Sequence, residues 1–465
     1  MWPSRYGVVR RAVTHEFVFE LIETAKLAFP MVLTQLGQVA MMTTDLAFFG
    51  RFGADAVAAA ALAGKVYFVS LTFCMGLLAA SATFAAQAFG ANNLRVVRRS
   101  LRMGLWIALS LSLPIMTFQL CSEQILLALG QAPNATRLAQ QYLSGVAWGV
   151  APMLCFLTIR NFMASVNRPE PVLWITLVAI PVNALLVYLL MYGEFGLPRL
   201  ELFGAGLATT LVNSATFLAS LWFATMRHPF REYRVLAHFW RFDWPLMRQL
   251  VTIGMPISMI LLMEYGISFA TALLMGVIST KALAAHQVAS QVAAILFMIP
   301  FGISAAATVR VAHAVGGNDR PGIKRASLAA MLFGIVIVAI LTVAVTAGRF
   351  EIAKFFVGVS VKDADATIEL AAHLILVGAS LFITEAIYTV AWGSLRGLKD
   401  TRMPLLFAGI AYWLIGFSLS YVLGLEMDLG AIGIWIGLSI GAAVHAALLV
   451  MRFQLLASSM TLQSR

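Results

Sequence analysis

The chain has 465 residues, of which 61% are hydrophobic and only 11% are charged, and its mean hydropathy is +0.88. Soluble proteins carry about 25% charged residues, so this composition excludes an ordinary soluble domain and indicates a membrane protein. The net charge of +11 does not indicate a nucleic-acid partner, because no basic stripe is interleaved with aromatic residues outside the apolar runs.

Twelve apolar runs follow one another along the chain, each long enough to cross about 30 Å of hydrocarbon as a helix. A spanning segment must satisfy its backbone hydrogen bonds internally, and these runs are too long for the strands of about ten residues that form a barrel. They lie at 21–48, 57–87, 103–121, 142–164, 172–192, 203–225, 248–278, 283–309, 326–347, 369–392, 405–424 and 430–453. The sequence therefore predicts an all-α membrane protein with twelve transmembrane helices.

Basic residues concentrate in alternate loops between these runs. Assigning successive loops to opposite sides gathers most of the 32 Lys and Arg on one side, including Arg98, Arg241, Arg325 and Arg396. The positive-inside rule then places both termini in the cytoplasm, with membrane lipids as partners. No small-residue cleavage site follows a short apolar stretch at the N-terminus, so we expect the first run to be retained.

The chain repeats itself. An offset of 226 residues superposes MGLLAASATFAAQAFGANN on FGISAAATVRVAHAVGGND, and an offset of 233 pairs Pro171 with Pro404 further along. Two halves of six spans each run in the same direction, so we expect two parallel six-helix lobes related by a pseudo-two-fold axis along the membrane normal. The predicted boundaries are 1–225 for the N-lobe, 226–247 for a cytoplasmic linker and 248–465 for the C-lobe.

Of the 21 Asp and Glu residues, only Asp45, Glu264 and Glu385 lie inside apolar runs rather than in loops or at helix ends. An ionised side chain near the bilayer centre costs about 2.5–3.5 kcal/mol on insertion scales, so such residues generally face an aqueous cavity or an ion path. The alternative is a carboxylate that only joins helices by hydrogen bonds or reaches the interface; Asp45 lies closest to a helix end. We predict all three as ion-coupling residues.

Each acid lies on a polar stripe at helical spacing. Aromatic ring faces attract cations by about 0.5–2 kcal/mol, and methionine offers adaptable apolar surface. We therefore predict substrate contacts at Gln38, Met41, Met42, Tyr388 and Trp392, and weaker ones at Asn183 and Gln287. Helix packing is the alternative for the aromatic and methionine stripes, and interhelical hydrogen bonds of about 0.6 kcal/mol explain the polar residues equally well.

The repeat places its acids unequally. At the offset of 226, Gln38 falls on Glu264 and Asp45 falls on Thr271, so equivalent helices carry their acids two turns apart. The two lobes should therefore share a shape and differ in chemistry.

No enzyme signature is present in the sequence: it lacks a P-loop, HExxH, GxSxG and paired intramembrane aspartates. Without a nucleotide-binding motif, transport has to run on an ion gradient. The sequence predicts a cation-coupled antiporter that needs no cofactor besides Na⁺ or H⁺ as the coupling ion.

Three stretches resemble the multidrug and toxic compound extrusion (MATE) family, in particular its bacterial NorM-like branch: LAFPMVLTQLGQVAMMTTDLAFFGRFG, AAHQVASQVAAILFMIPFGISAAATVRVAHAVGGND and AWGSLRGLKDTRMP. The resemblance covers roughly residues 20 to 455. It implies a monomeric two-lobe antiporter of the bacterial inner membrane that expels cationic, lipophilic compounds against Na⁺ or H⁺.

Carried over by motif, Asp45 matches the acid of the family's first helix, Glu264 in LLMEYG matches the glutamate of helix 7, and Glu385 matches the acid of helix 10. The last two imply a C-lobe cation site, and we expect Na⁺ there ahead of H⁺. Two departures leave the ion open: the helix-10 acid is Glu where the branch usually has Asp, and Leu381 stands where relatives can have Tyr.

Two other functions fit parts of the pattern. A flippase for lipid-linked precursors would need a basic central cavity, whereas the buried charges predicted here are mainly acidic. A channel or receptor would need neither the repeat nor acids in unequal positions. The sign of the charge that lines the cavity would separate these alternatives.

Overall fold

The computed structural model describes residues 5–52, 54–128, 130–193, 198–235, 237, 239–357 and 364–462, and every regular element in these ranges is helical. In the first half the helices are α1 (Arg5–Phe52), α2 (Ala54–Gly90), α3 (Leu94–Leu120), α4 (Ser122–Ala128), α5 (Pro133–Ala147), α6 (Val150–Ser165), α7 (Glu170–Tyr192) and α8 (Glu201–Met226). A short 3₁₀ helix, Phe230–Tyr233, follows.

In the second half the helices are α9 (Trp244–Ile278), α10 (Thr280–Gly316), α11 (Arg320–Ala347), α12 (Arg349–Val357), α13 (Ala364–Gly397), α14 (Arg402–Ala408), α15 (Ser418–Tyr421) and α16 (Gly430–Leu462). Two π-helical segments, Gly409–Phe417 and Val422–Glu426, flank α15 and make 402–426 one continuous span.

Ten of the described helical spans are long and apolar enough to cross a membrane, and the pair α5 and α6, bent by 53°, counts as an eleventh. The remaining predicted run lies on α1, which has 48 residues but carries Gln35, Gln38 and Asp45 in its apolar stretch. Each of the twelve runs therefore falls on a described helix or broken helix. The prediction of an all-α, multi-pass membrane protein is confirmed.

The fourth run, 142–164, is broken where the sequence predicted one helix. The Thr210 hydroxyl of α8 donates to the backbone oxygen of Gly145 at 2.7 Å, a group that would otherwise accept a hydrogen bond within the helix. A Cβ on Gly149 would lie 2.9 Å from the Thr210 Cα. Close approach of α8 at these two glycines thus accompanies the bend.

The chain forms two compact units, the C-terminal unit (Met1–Val32 and Leu262–Arg465) and the N-terminal unit (Leu33–Leu261). The first part of α1 therefore packs with the second half of the sequence, and the first part of α9 packs with the first half. Position 32 corresponds to 258 at the repeat offset, so both helices are divided within one turn of equivalent positions. The predicted lobe boundaries follow sequence similarity and stay a prediction, while these units follow packing.

Each unit repeats the same close helix contact. In the N-terminal unit, Gly76 of α2 lies against the backbone of Ser258 on α9, and the Ser258 hydroxyl donates to the Phe73 oxygen at 2.7 Å. In the C-terminal unit, Gly302 of α10 lies against Val32 of α1. Both pairs are related by the offset of 226, so the repeat seen in the sequence is a repeat of packing.

Ion pairs at the start of α1 and α9 follow the repeat only in part. Arg99 Nε donates to Asp243 Oδ2 at 2.6 Å in the N-terminal unit, and its repeat equivalent Arg325 pairs with Glu16 in the C-terminal unit. The C-terminal unit adds a bidentate pair, Arg310 with Glu20, at 2.8 and 2.6 Å.

The positions equivalent to Arg310 and Glu20 in the N-terminal unit are Phe84 and Leu246, both buried. The same packing position thus takes an apolar pair in one unit and an ion pair in the other. Apolar replacement of a buried ion pair is often neutral for stability, whereas removal of one partner is costly.

We expect Gly302→Ala to lower the free energy of unfolding by about 1–3 kcal/mol, because the new Cβ would lie 2.8 Å from the Val32 Cα. Thermal unfolding of the purified protein in detergent measures the effect. Gly409→Ala is the control, since no atom lies within 4 Å of its added Cβ. Equal stability of both variants would contradict the close helix contact.

We expect Glu20→Leu alone to destabilise the protein by roughly 3 kcal/mol, because it leaves the Arg310 guanidinium without its bidentate partner. The double change Glu20→Leu with Arg310→Phe copies the equivalent apolar pair and should recover most of that loss. Unfolding free energies of the single and double variants test this. A double variant no more stable than the single one would rule out equivalence of the two positions.

Candidate functional site

The C-terminal unit brings two of the predicted acids together. Glu264 lies on α9 and Glu385 on α13, both half-buried, and Glu385 lies within electrostatic range of the Glu264 carboxylate. Two ionised carboxylates in such a setting repel each other, and a shared cation or proton removes that repulsion. The C-terminal unit therefore contains two of the three predicted ion-coupling residues, and their role in coupling stays a prediction.

Tyr388 connects the two helices of this site. It lies one turn after Glu385 on α13, and its hydroxyl donates to Glu264 Oε1 at 2.6 Å. A hydrogen bond to a charged group contributes about 1.5–3 kcal/mol, more than one between neutral groups. The prediction that Tyr388 lies near the acids is thus matched by a direct contact, although its predicted role toward a substrate stays a prediction.

Behind Tyr388 lies a buried polar network that the sequence reasoning missed. The Tyr412 ring lies edge-on to that of Tyr388 with centroids 6.1 Å apart, and the Tyr412 hydroxyl shares a hydrogen bond of 3.0 Å with His445 Nδ1 on α16. The rings of Tyr388 and His445 lie 5.0 Å apart. The His445 Nε2 atom is buried and has no hydrogen-bond partner among the described residues.

The backbone positions this network. Tyr412 lies in the π-helical segment Gly409–Phe417, a geometry that often occurs at functional sites. His445 is 1% exposed in the middle of α16. Placing an ionisable histidine inside a membrane costs free energy. The stretch GAAVHAALL therefore contains a signal that a search for acids alone does not detect.

Trp392 is buried next to the site and already has a cation on its ring. The Arg396 Cζ lies 4.2 Å from the Trp392 ring centroid, and Arg396 Nη2 donates to the Ser304 hydroxyl at 2.9 Å. The aromatic ring that was predicted to receive a substrate cation is therefore covered on one face by an arginine of the same helix. Its role in substrate binding stays a prediction.

The N-terminal unit pairs Asp45 with one of the weaker candidates. Asn183 on α7 is fully buried, and its Nδ2 donates to Asp45 Oδ1 at 2.6 Å. The Asn183 Oδ1 atom has no partner among the described residues. Asp45 is thus held by an amide and not by a second acid, so the difference in chemistry that the sequence predicted between the two halves is present.

Two half-buried tyrosines of the same unit, Tyr67 of α2 and Tyr142 of α5, lie within electrostatic range of the Asp45 carboxylate. The Tyr67 hydroxyl donates to Met153 Sδ at 3.4 Å, and the Tyr142 ring packs edge-on against Phe49 of α1 with centroids 5.5 Å apart. Spacing along α2 and α5 did not identify these tyrosines as neighbours of Asp45, because it does not show which side chains of one helix face another.

The other predicted contacts show less specific surroundings. Gln38 and Met41 are half-buried, whereas Met42 and Gln287 are exposed on the surface of their helices. No hydrogen bond of Gln38 or Gln287 is seen within the described part of the chain. The structure does not join these four residues to either cluster of acids.

The oxygens suited to a metal ion lie in the C-terminal unit. Both carboxylates and the Tyr388 hydroxyl supply hard oxygen ligands, the type that Na⁺ binds. No group of three or more His, Cys, Asp or Glu side chains with metal-binding geometry occurs in the described ranges. A bound Na⁺ would therefore need further backbone or water oxygens, whereas a proton needs only one carboxylate.

The family model MatE matches two segments of the chain, residues 30–189 and 256–422. The chain belongs to the MatE family. The matched segments of this MatE protein begin 226 residues apart and end 233 residues apart, which are the two offsets of the internal repeat.

Two bacterial proteins are similar to this MatE protein over nearly its whole length. The chain is 59% identical over 451 residues to a Bradyrhizobium diazoefficiens protein named probable multidrug resistance protein NorM, covering 97% of this chain and 96% of the relative. It is 52% identical over 450 residues to a Rhodopseudomonas palustris protein of the same name, covering 96% and 94%.

Solved structures of MATE transporters share the fold. An outward-facing multidrug resistance MATE family transporter matches with a TM-score of 0.87 at 16% identity, covering 95% of this chain and 97% of that one. The eukaryotic MATE transporter AtDTX14 matches with a TM-score of 0.85 at 18% identity, covering 97% and 100%. Twelve helices in two lobes are the architecture of these proteins, which confirms the predicted fold class.

We expect Tyr388→Phe to lower the free energy of unfolding by about 1–3 kcal/mol, because it removes the donor to Glu264. A double-mutant cycle with Glu264→Gln in detergent unfolding should give a coupling energy of about 1 kcal/mol or more. Tyr421→Phe is the control, because Tyr421 is exposed and its hydroxyl has no hydrogen bond within the described part of the chain. Additive effects of the two site changes would show that this contact does not stabilise the protein.

Proposed function

We propose that the protein is a secondary active multidrug efflux transporter that antiports organic cationic or lipophilic compounds out of the cytoplasm against inward Na⁺ or H⁺. The observation that carries this proposal is the pair Glu264 and Glu385, two acids on different transmembrane helices with Tyr388 between them. The names of the NorM relatives support export of multiple compounds.

Exchange follows from electrostatic competition at this pair. An inward-moving cation and an outward-moving organic cation both neutralise the same carboxylates, so binding of one weakens the binding of the other. If the two ligands stabilise different conformations, each drives the other's release by a population shift between inward-open and outward-open states. Such coupling needs neither a nucleotide nor a covalent step, and we propose that the chain has no enzymatic activity.

For the coupling ion we propose Na⁺ or H⁺ at Glu264 and Glu385. Three oxygen-bearing side chains favour a metal ion, whereas the hydrogen bond from Tyr388 already uses one lone pair of Glu264 and favours a proton. Asp45 would act separately in the N-terminal unit, where Asn183 orients its carboxylate for one proton or one substrate cation.

We further propose a monomer in the bacterial inner membrane with both termini in the cytoplasm. Clustered arginines at the starts of α3 and α11 and between α8 and α9 support this orientation through the positive-inside rule. Membrane lipids and organic cations are the partners that follow.

A lipid-precursor flippase is the second candidate. A Pyrococcus furiosus transporter of the same fold, with a TM-score of 0.87 and 15% identity, is described as having a binding pocket of reversed polarity and a different function. Binding pockets of opposite polarity therefore occur in the same fold. The charge of the residues in this chain has to distinguish the two candidate functions. The acids Asp45, Glu264 and Glu385 favour cationic cargo.

We expect Glu264→Gln, Glu385→Gln and Asp45→Asn each to lower gradient-driven ethidium efflux at least tenfold, because each removes a charge that alternates between coupling ion and substrate. Ethidium transport in cells and inside-out vesicles, driven separately by a Na⁺ gradient and by a pH gradient, measures the loss and identifies the ion. Membrane insertion, followed by the expression level and by the amount of protein in the membrane fraction, should stay normal.

Glu426→Gln is the matched control, since it removes an exposed acid at the end of its span and should leave efflux unchanged. Normal efflux by all three site variants would overturn the proposed coupling. Movement of a pyrophosphate-linked lipid without ethidium transport would favour the flippase.

A further inference from the structure

The N-terminal unit carries a basic and aromatic cluster that the transport site does not use. Three arginine side chains, Arg98 and Arg99 of α3 and Arg241 of the segment before α9, lie within electrostatic range of a fourth, Arg102 of α3. Among the described residues, Asp243 is the one carboxylate whose charge acts on Arg102. Asp243 pairs with Arg99 and also accepts the backbone N–H of Leu246, so it is fully engaged.

Two of the arginines keep unused donors. The Arg98 Nε atom is buried and has no hydrogen-bond partner among the described residues. Arg241 is exposed and forms no ion pair in the described part of the chain. A guanidinium group binds phosphate through a planar fork of N–H donors, so unpaired guanidinium groups beside each other suit a phosphate group.

Aromatic rings flank these arginines. The Trp106 ring of α3 stacks on Phe239 with centroids 5.6 Å apart, and its Nε1 donates to the Phe239 oxygen at 3.1 Å. Trp240 and Phe242 lie edge-on to Trp106, and Phe242 contacts Trp244. Trp240 is 84% exposed and Trp244 is 67% exposed. Exposed tryptophans at the ends of membrane helices are typical of the lipid interface.

The internal repeat shows that helix packing does not require this cluster. At the offset of 226, Arg98 and Arg99 correspond to Lys324 and Arg325, but Arg102 and Trp106 correspond to Leu328 and Leu332, both exposed apolar residues. The C-terminal unit therefore builds the equivalent helix without the third arginine and without the tryptophan. Because this cluster is present in just one of the two units, we attribute to it a role other than helix packing.

We propose that Arg98, Arg99, Arg102 and Arg241, with Trp240 and Trp244 beside them, form a binding site for the phosphate of an anionic glycerophospholipid. The arginines bind the phosphate, and the exposed rings place the site at the depth of the headgroups. Free phosphate shares the charge but gives no reason for two exposed tryptophans, which is why a lipid is the occupant. The proposed orientation puts this site in the cytoplasmic leaflet.

The test measures which lipids the full chain retains, by native mass spectrometry. It also measures lipid affinity, by titrating the detergent-solubilised protein with phosphatidylglycerol or phosphatidylethanolamine. Removal of one arginine near an anionic surface should weaken binding about fivefold. Arg98→Gln with Arg241→Gln should therefore weaken phosphatidylglycerol binding about 25-fold and leave the weak binding of phosphatidylethanolamine unchanged. Binding should also fall as salt increases.

Lys324→Gln is the matched control, because it removes the repeat-equivalent charge of Arg98 from the unit that lacks the rings. Trp240→Ser is a second variant, and it should fold normally because Trp240 is 84% exposed. It should weaken phosphatidylglycerol binding, and inorganic phosphate should still fail to displace the bound lipid. Equal retention of both lipids, an unchanged affinity in the double arginine variant, or displacement of phosphatidylglycerol by millimolar inorganic phosphate would each overturn the proposal. Loss of ethidium efflux in the acid variants does not affect this measurement.

Discussion

The cost of a carboxylate inside a membrane is the constraint on which the structure depends. Two of the three intramembrane acids have neutral donors: Glu264 accepts from the Tyr388 hydroxyl, and Asp45 accepts from the Asn183 amide. Glu385 instead has the like charge of Glu264 within electrostatic range, which disfavours its ionised form unless a cation or a proton is bound there. A neutral donor stabilises a carboxylate and leaves its charge in place, so cations can still exchange there.

The repeat gives the scaffold, and departures from the repeat give the chemistry. The contacts of Gly76 with Ser258 and of Gly302 with Val32 are equivalent, and the left-handed Asn92 and Asn318 precede equivalent helix starts capped by Asn93 and Asp319. The acids and the Arg310–Glu20 pair have no equivalents, and neither do Arg102 and Trp106 of α3. Backbone contacts between helices tolerate few residue types, whereas polar side chains placed between helices can differ from one half to the other.

Much of the fold could be predicted from the sequence, because hydrophobic length and repeat spacing are local properties. All twelve runs coincide with described helices, and the offsets of 226 and 233 reappear in the family match. The bend between α5 and α6 could not be predicted, since it accompanies a hydrogen bond from Thr210, which lies more than 60 residues away in the chain. Nor could the division of α1 and α9 between the two units.

The sequence by itself determined the class of the protein, its spans, its repeat and the acids that carry the proposed function, because an ionisable residue in an apolar run stands out without any coordinates. Only the tertiary structure decided which side chains face those acids. It brought Tyr388 to Glu264 across 124 residues and Asn183 to Asp45 across 138. It also added Tyr412 and His445, and it covered Trp392 with Arg396. Hydrogen bonds between helices depend on rotation and depth in the packed bundle, and neither quantity is encoded in the spacing of residues along one helix.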